Sequence, residues 1–216
     1  MSIERPAGKD GKHYFLKPGA AIEGDGLVAL SEGWYQVKSR KTTGSALPEG
    51  KGVGTMFHAV GTVWTLSEGD VVIPLEQQLI EWATDGEVSA SRGTTEDTVQ
   101  GDVHAHFADE GYPSSTYSLS GYNRINDELQ KELKARSGYV TVDDGAGAIT
   151  VTEPKGDEIA FATCYRTSTV SGEKEEWSLV SGLITSLTLN KPLKGNQDFS
   201  LQMQVNYRDT YVRTIA

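Results

Sequence analysis

Between Asp198 and Arg208 apolar and polar side chains alternate without a break. Phe199, Leu201, Met203, Val205 and Tyr207 interleave with Ser200, Gln202, Gln204, Asn206 and Arg208. A period of two belongs to a β-strand, and it puts five apolar groups on one face and an amide-rich set on the other. This segment therefore covers a core with one side and meets water with the other. Upstream, Ile159, Phe161, Thr163 and Tyr165 alternate with Ala160, Ala162 and Cys164. Both faces are apolar or small there, which predicts a strand buried on both sides.

The same grain runs through much of the chain. Strand-like runs occur at Gly33 to Lys38, Thr62 to Leu66, Val71 to Leu75, Val88 to Ser91, Asp102 to Ala108 and Ser115 to Ser120. They recur at Tyr139 to Val142, Ala148 to Thr152, Glu158 to Thr167 and Glu176 to Asn190. Turn signals such as Glu68-Gly69-Asp70 and Asp85-Gly86 separate them. The run Gln77 to Trp82 fits either a short helix or extended chain. One helix stands out at about 123–137. Ile125, Leu129 and Leu133 lie at i, i+4 and i+8, Asp127 with Lys131 and Glu132 with Arg136 are favourable pairs, and Gly138 supplies a stop. A chain of 216 residues with 24 glycines suits one domain over 1–216. The expected fold is mainly β, a sandwich or barrel with one flanking α-helix.

Two segments are expected to lie outside the core. Residues 1–22, punctuated by Pro6, Gly8, Gly11, Pro18 and Gly19, read as a flexible N-terminal arm. Residues 39–54 carry four glycines, one proline and three basic residues with no periodicity. A loop this long is uncommon in a compact domain unless it has a function. It reads as an arm that docks on another subunit through Leu47, Val53, Met56 and Phe57.

Charge and motifs narrow the chemistry. Twenty basic against 30 acidic residues give a net charge of −10, which argues against a surface built to hold phosphates. The lone Cys164 forms no intramolecular disulfide, and its apolar flanks fit packing better than nucleophilic chemistry. No apolar run approaches the roughly 18 residues of a membrane span, and the polar N-terminus lacks a signal-like stretch, so no membrane partner is expected. His104, His106 and Glu110 follow the His-x-His-x-x-x-Glu spacing and resemble the cupin metal motif. However, no histidine follows His106, and Thr98 stands where cupins have glycine. No metal site, cofactor or catalytic residue is therefore expected. Glu173, Glu175 and Glu176, after Ser171-Gly172, read as solvated charge at a hairpin tip. Trp34, Trp64, Trp82 and Trp177 read as core, though a binding module would use them for stacking.

The order of these parts resembles the major tail tube proteins of long-tailed, siphovirus-like bacteriophages. The resemblance rests on a strand and long loop, followed by Asp85-Gly86-Glu87-Val88-Ser89-Ala90-Ser91-Arg92-Gly93-Thr94-Thr95-Glu96 and the rest of that polar run to Asp102. Next come Tyr117-Ser118-Leu119-Ser120-Gly121, the single helix, and a β-rich half closed by the alternating strand. The resemblance implies a structural virion protein without catalysis. Six subunits would form a ring whose inner strands join into one barrel, and stacked rings would form the tube through which DNA passes. Its partners would be copies of itself, tape-measure and tail-tip proteins, with assembly in the host cytoplasm. The implied inter-ring contacts are Arg40, Lys41, Leu47, Lys51, Met56 and Phe57, and the implied lumen face is Ser200, Gln202, Gln204 and Asn206. A cupin-like metal enzyme and a β-sandwich binding module are the alternatives.

Overall fold

A computed structural model of the chain describes residues 11–60, 64–96, 107–124, 127–137, 141–142, 149–150, 158–169, 172–190 and 197–215. The first seven strands are β1 (Lys12–Pro18), β2 (Ile22–Glu23), β3 (Ala29–Leu30), β4 (Gly33–Ser39), β5 (Met56–Ala59), β6 (Trp64–Thr65) and β7 (Val71–Leu79). Then follow β8 (Ala83–Glu96), β9 (Phe107–Tyr122), helix α1 (Glu128–Arg136), β10 (Thr141–Val142) and β11 (Ile149–Thr150). The chain closes with β12 (Ile159–Thr169), β13 (Gly172–Asn190) and β14 (Asp198–Ile215). The fold is mainly β with one helix among the described residues, as expected. The main sheet runs β5-β4-β7-β1-β12-β13-β14-β9-β8, with β2 added to β7.

The chain divides into two compact units. One comprises residues 1–81, 159–181 and 207–216, the other 82–158 and 182–206. The division follows from strand length, since β13 and β14 have 19 and 18 residues and each gives one end to each unit.

In the first unit the expected core-less arm is corrected from Lys12 onward. β1 lies between β7 and β12, with Phe15 opposite Gln78 on one side and Phe161 on the other. Phe15 and Leu16 are fully buried. The physical reason is a short apolar centre, Tyr14-Phe15-Leu16, whose backbone groups are paired on both flanks. Residues 1–10 lie outside the described residues. The ambiguous stretch after Leu75 is extended, because Gln77 to Leu79 pair with β1. β12 is buried on both faces from Ile159 to Cys164, as its alternation predicts.

Two of the buried clusters in the first unit can be named. Leu16, Trp34, Met56, Leu75, Ala162, Trp177 and Leu179 form one, and Tyr35, Val37, Leu47, Phe57, Leu66 and Val72 form the other. Adjacent β4 residues Trp34 and Tyr35 thus face opposite ways, as pleating requires. Three of the four tryptophans, Trp34, Trp82 and Trp177, are buried.

In the second unit β14 pairs with β9 so that Leu201 opposes Leu119 and Met203 opposes Tyr117. These four and Phe199 are buried, and Trp82 meets Phe199 edge-on at 4.8 Å between centroids. The helix is shorter than expected and starts at Glu128, because Asp127 is its cap and accepts a 2.8 Å bond from the Gln130 amide. Lys131 consequently pairs with Glu128 rather than Asp127, while the Glu132–Arg136 pair forms as read. Ile125 and Gly138 lie outside the described residues. Buried Gln130 accepts from the Arg124 amide and donates to the Tyr122 carbonyl, both at 2.8 Å, tying α1 to the exit of β9.

Candidate functional site

The alternation in β14 becomes a surface once the registers are applied. Ser200, Gln202 and Gln204 oppose Ser120, Ser118 and Thr116 of β9, which in turn oppose Asp85, Glu87 and Ser89 of β8. From β13, the Ser186 hydroxyl meets the Gln202 side chain at 3.3 Å. Asn206 continues the row and donates to Glu158 at 2.5 Å. Gln202, Gln204 and Asn206 are exposed and Ser200 is half-buried. The side chains just named are hydroxyls, amides and carboxylates, with no lysine or arginine among them, and Tyr122 continues the β9 row with an exposed ring. The face is decided by β8, whose Asp85 and Glu87 make it acidic rather than neutral, a contribution that the β14 pattern alone does not contain. Arg208 follows two residues after Asn206, in the first unit.

The loop after β4 is a second surface, and it differs from the arm expected. Leu47, Met56 and Phe57 are at most 5% exposed and belong to the cores of their own unit. They are corrected from docking residues to core residues. The loop is held at several points instead. Asp70, fully buried, accepts from the backbone amides of Lys41 (2.9 Å) and Ala46 (3.1 Å). Burial would raise its carboxyl, but those amides and the Ser45 hydroxyl hold it below the usual value. Arg40 donates to the Pro48 carbonyl at 2.9 Å and to the Lys51 carbonyl at 2.5 Å. Lys51 forms an ion pair with Asp209 and a 3.3 Å bond to Tyr207, whose hydroxyl donates to Asp209 at 2.8 Å and lies 3.3 Å from the Met56 carbonyl. Arg40 and Lys51 are therefore engaged within their own chain, and of the residues expected to dock only Lys41 and Val53 are exposed. Gly44, Gly50 and Gly54 all have positive φ, which is what the loop uses its glycines for.

Lys51→Met is expected to lower stability by about 1 kcal/mol, the net worth of a partly solvated hydrogen-bonded pair. Asp209→Asn should cost nearly the same, and the double variant no more, in urea denaturation. Additive losses would show that the two groups do not act as a pair.

A third feature corrects the expectation that Glu175 is solvated charge at a hairpin tip. Glu175 is buried, not solvated, at 3% exposure. Its two oxygens are divided between arginines, Oε1 accepting from Arg166 Nε at 3.0 Å and Oε2 from Arg213 Nε at 2.7 Å. Burial would push this carboxyl up, yet Arg213 and then Arg166 bring it below its usual value. Nearby Cys164 is pushed up to about 11, first by burial and then by Glu175, which keeps the thiol protonated and unreactive. No local signal marks Glu175 in the sequence, because its partners lie 9 and 38 residues away.

His104 and His106 lie outside the described residues, as does the Glu110 side chain, so the cupin-like set has no geometry to report. No family model and no curated protein matches the chain. Its fold is similar to a solved structure of the SPP1 tail tube, determined by solid-state NMR and cryo-EM, with a TM-score of 0.51 at 11% sequence identity. That likeness covers 98% of this chain and 81% of the other, and what the two chains share is the tail-tube fold.

Proposed function

We propose that the protein is a structural subunit of a phage tail tube. Copies form six-membered rings that stack into a tube, and DNA passes through the lumen without being held. Tape-measure and tail-tip proteins are its other partners, the assembled tail is its location in the virion, and assembly takes place in the host cytoplasm. The role is mechanical, with no catalytic step.

The observation that carries the reading is the polar face of β8, β9, β13 and β14. Affinity for a nucleic-acid backbone comes mainly from lysine and arginine displacing counterions. A wall of hydroxyls and amides alone would be neutral, but here Thr116, Ser118, Gln202 and Gln204 are joined by Asp85 and Glu87, which repel phosphate weakly and hold nothing. The fold likeness supports the same reading. So does the strand order, because β8 and β5 end it and each offers an edge that a second copy can pair with. The loop contributes to ring stacking through its exposed Lys41 and Val53, held on a rigid base rather than on a mobile arm.

Negative-stain electron microscopy of the untagged protein at high concentration, with and without tail-tip seeds, tests this. Hollow tubes or stacked six-fold rings are expected. A Lys41→Glu, Val53→Asp variant should keep rings and lose stacking, since neither side chain is in the core. A protein that stays monomeric even with seeds would overturn the reading. In assembled tubes, Gln202→Lys with Gln204→Lys should retain DNA that the natural protein lets slide, with a retention that falls steeply as salt rises.

A further inference from the structure

Strand β7 joins two unlike surfaces of the first unit. At its start Val71 pairs with Glu23, and at its end Leu79 pairs with Tyr14. At about 3.3 Å per residue these ends lie roughly 26 Å apart. At the first end Glu23, Asp25 and Glu68, all exposed, share the lining of one shallow cleft. The chain turns there and holds Leu27 out at 87% exposure. The turn is fixed on both sides. Asp25 accepts from the amides of Leu27 (2.7 Å) and Val28 (2.9 Å), while the Gly24 and Gly26 amides donate to the Asp70 and Leu66 carbonyls at 2.8 and 3.0 Å. Gly26 supplies the positive φ that the bend requires.

At the other end the sign reverses. Arg166 and Arg213 share buried Glu175, and Lys12, opposite Cys164 across β1 and β12, is exposed. Arg213 also stands 3.8 Å from Glu32, so three cations meet two carboxylates, one of them buried. Arg166 keeps 62% of its side chain in water. Leu79 is 45% exposed beside them, and two residues earlier Gln77 lines an open cleft of about 360 Å³ with Trp177 and Arg213. Each end thus carries an exposed leucine within a charged frame, and the two frames are opposite in sign. Lys41, held at the acidic end through its amide bond to Asp70, flanks the carboxylates without matching their number. A single exposed leucine is ordinary on a protein surface. One fixed on a turn at the acidic end, with a cationic counterpart at the far end of the same strand, is placed to meet a second copy of the chain. Contacts between unlike ends repeat from copy to copy in one direction.

We propose that the Leu27 turn of one copy docks on the Leu79 end of the next, head to tail. Glu23, Asp25 and Glu68 then face Lys12, Arg166 and Arg213, and Leu27 leaves water against Leu79. The proposal rests on the tail-tube reading and names the two surfaces through which its rings stack.

The test is a charge swap on the full-length protein, read by sedimentation velocity and electron microscopy. Leu27→Asp should raise the concentration at which stacks form by about tenfold or more, and Glu23→Lys with Glu68→Lys should do the same. Circular dichroism should stay unchanged, since these side chains are exposed. Lys12→Glu with Arg166→Gln should weaken stacking from the opposite end. Mixing the two charge variants pairs a reversed acidic end with a reversed cationic end, and stacking should return to within about threefold of the natural protein. A purely structural defect in either variant would not be rescued in this way. Rings that stack equally well in every variant, or a mixture that stays as weak as its parts, would overturn the docking proposal and leave the tube reading standing. Head-to-tail chains that respond to the swap but contain no six-fold rings would keep the contact and overturn the tube. A natural protein that never self-associates would overturn both.

Discussion

Arg213→Met is expected to destabilise the protein by about 3 kcal/mol, at the lower end of what breaking a buried ion pair costs. The substitution keeps most of the side-chain volume but strands the Glu175 carboxylate, whose side chain is 4% exposed, with one arginine in place of two. Arg166→Met should cost only about 1 kcal/mol, because that guanidinium is 62% exposed and already largely solvated. Acid provides an independent reading. The folded Glu175 carboxyl lies below its ordinary value of 4.5, so the unfolded chain binds its proton first as pH falls. The stabilisation is complete above about pH 6 and is lost as pH drops below 4.5 towards the folded value. With Arg213 removed, the pull that lowers the carboxyl is weaker, and the stability of the variant should fall less steeply over that acid range. Urea midpoints measured from neutral pH to about pH 3 check both statements. Equal costs for the two arginine substitutions, with parallel pH profiles, would show that Glu175 is not held mainly by Arg213.

The features legible in the sequence are those whose cause is local. The alternation from Phe199 to Tyr207 anticipates the buried Phe199, Leu201 and Met203 and the exposed Gln202, Gln204 and Asn206. It does so because one strand with one wet face imposes a period of two. β12 is equally legible, since neighbours on both sides make both faces apolar. β1 is not, because three apolar residues framed by lysines, proline and glycine are too short a run to show periodicity. What holds the loop after β4 is invisible for a different reason. Its anchors, Asp70 and Asp209, are about 29 and 158 residues from the groups they hold, and a contact of that span leaves no pattern along the chain. The same applies to Glu175, whose acidic neighbours Glu173 and Glu176 make it look solvated. The polar face is half legible: β14 announces its amides, but the carboxylates that set its charge sit two strands away and need the register. Apolar residues inside a glycine-rich stretch read as docking groups when no partner is known, and Leu47 shows the opposite outcome, a loop that folds back onto its own core.

Gly121→Ala should cost about 3 kcal/mol or more, above the common range for overpacking, because backbone and not a side chain stands in the way. A Cβ at Gly121 would lie 2.0 Å from the Trp82 carbonyl oxygen and 2.9 Å from the Ala83 Cα. The close approach occurs where the β8–β9 register shifts between Ala83 and Asp85, and such irregularities increase strand twist and bring backbones together. The glycine that ends Ser118-Leu119-Ser120-Gly121 is therefore required by strand packing. Gly182→Ala meets the same obstacle, with the Gln204 carbonyl oxygen 1.9 Å from the new Cβ, and should be comparably severe. Gly52→Ala is the control, since nothing lies within 4 Å of its Cβ position, and it should be within about 0.5 kcal/mol of neutral. Thermal or urea denaturation of the three variants separates the cases. If Gly121→Ala and Gly182→Ala matched Gly52→Ala, the close strand approaches would not be a constraint on the fold. In the tube reading the Gly121 variant should lose assembly at a temperature where it remains folded. The bond displaced first is the one seating β8 on β9, and β8 carries the edge that a neighbouring copy would join.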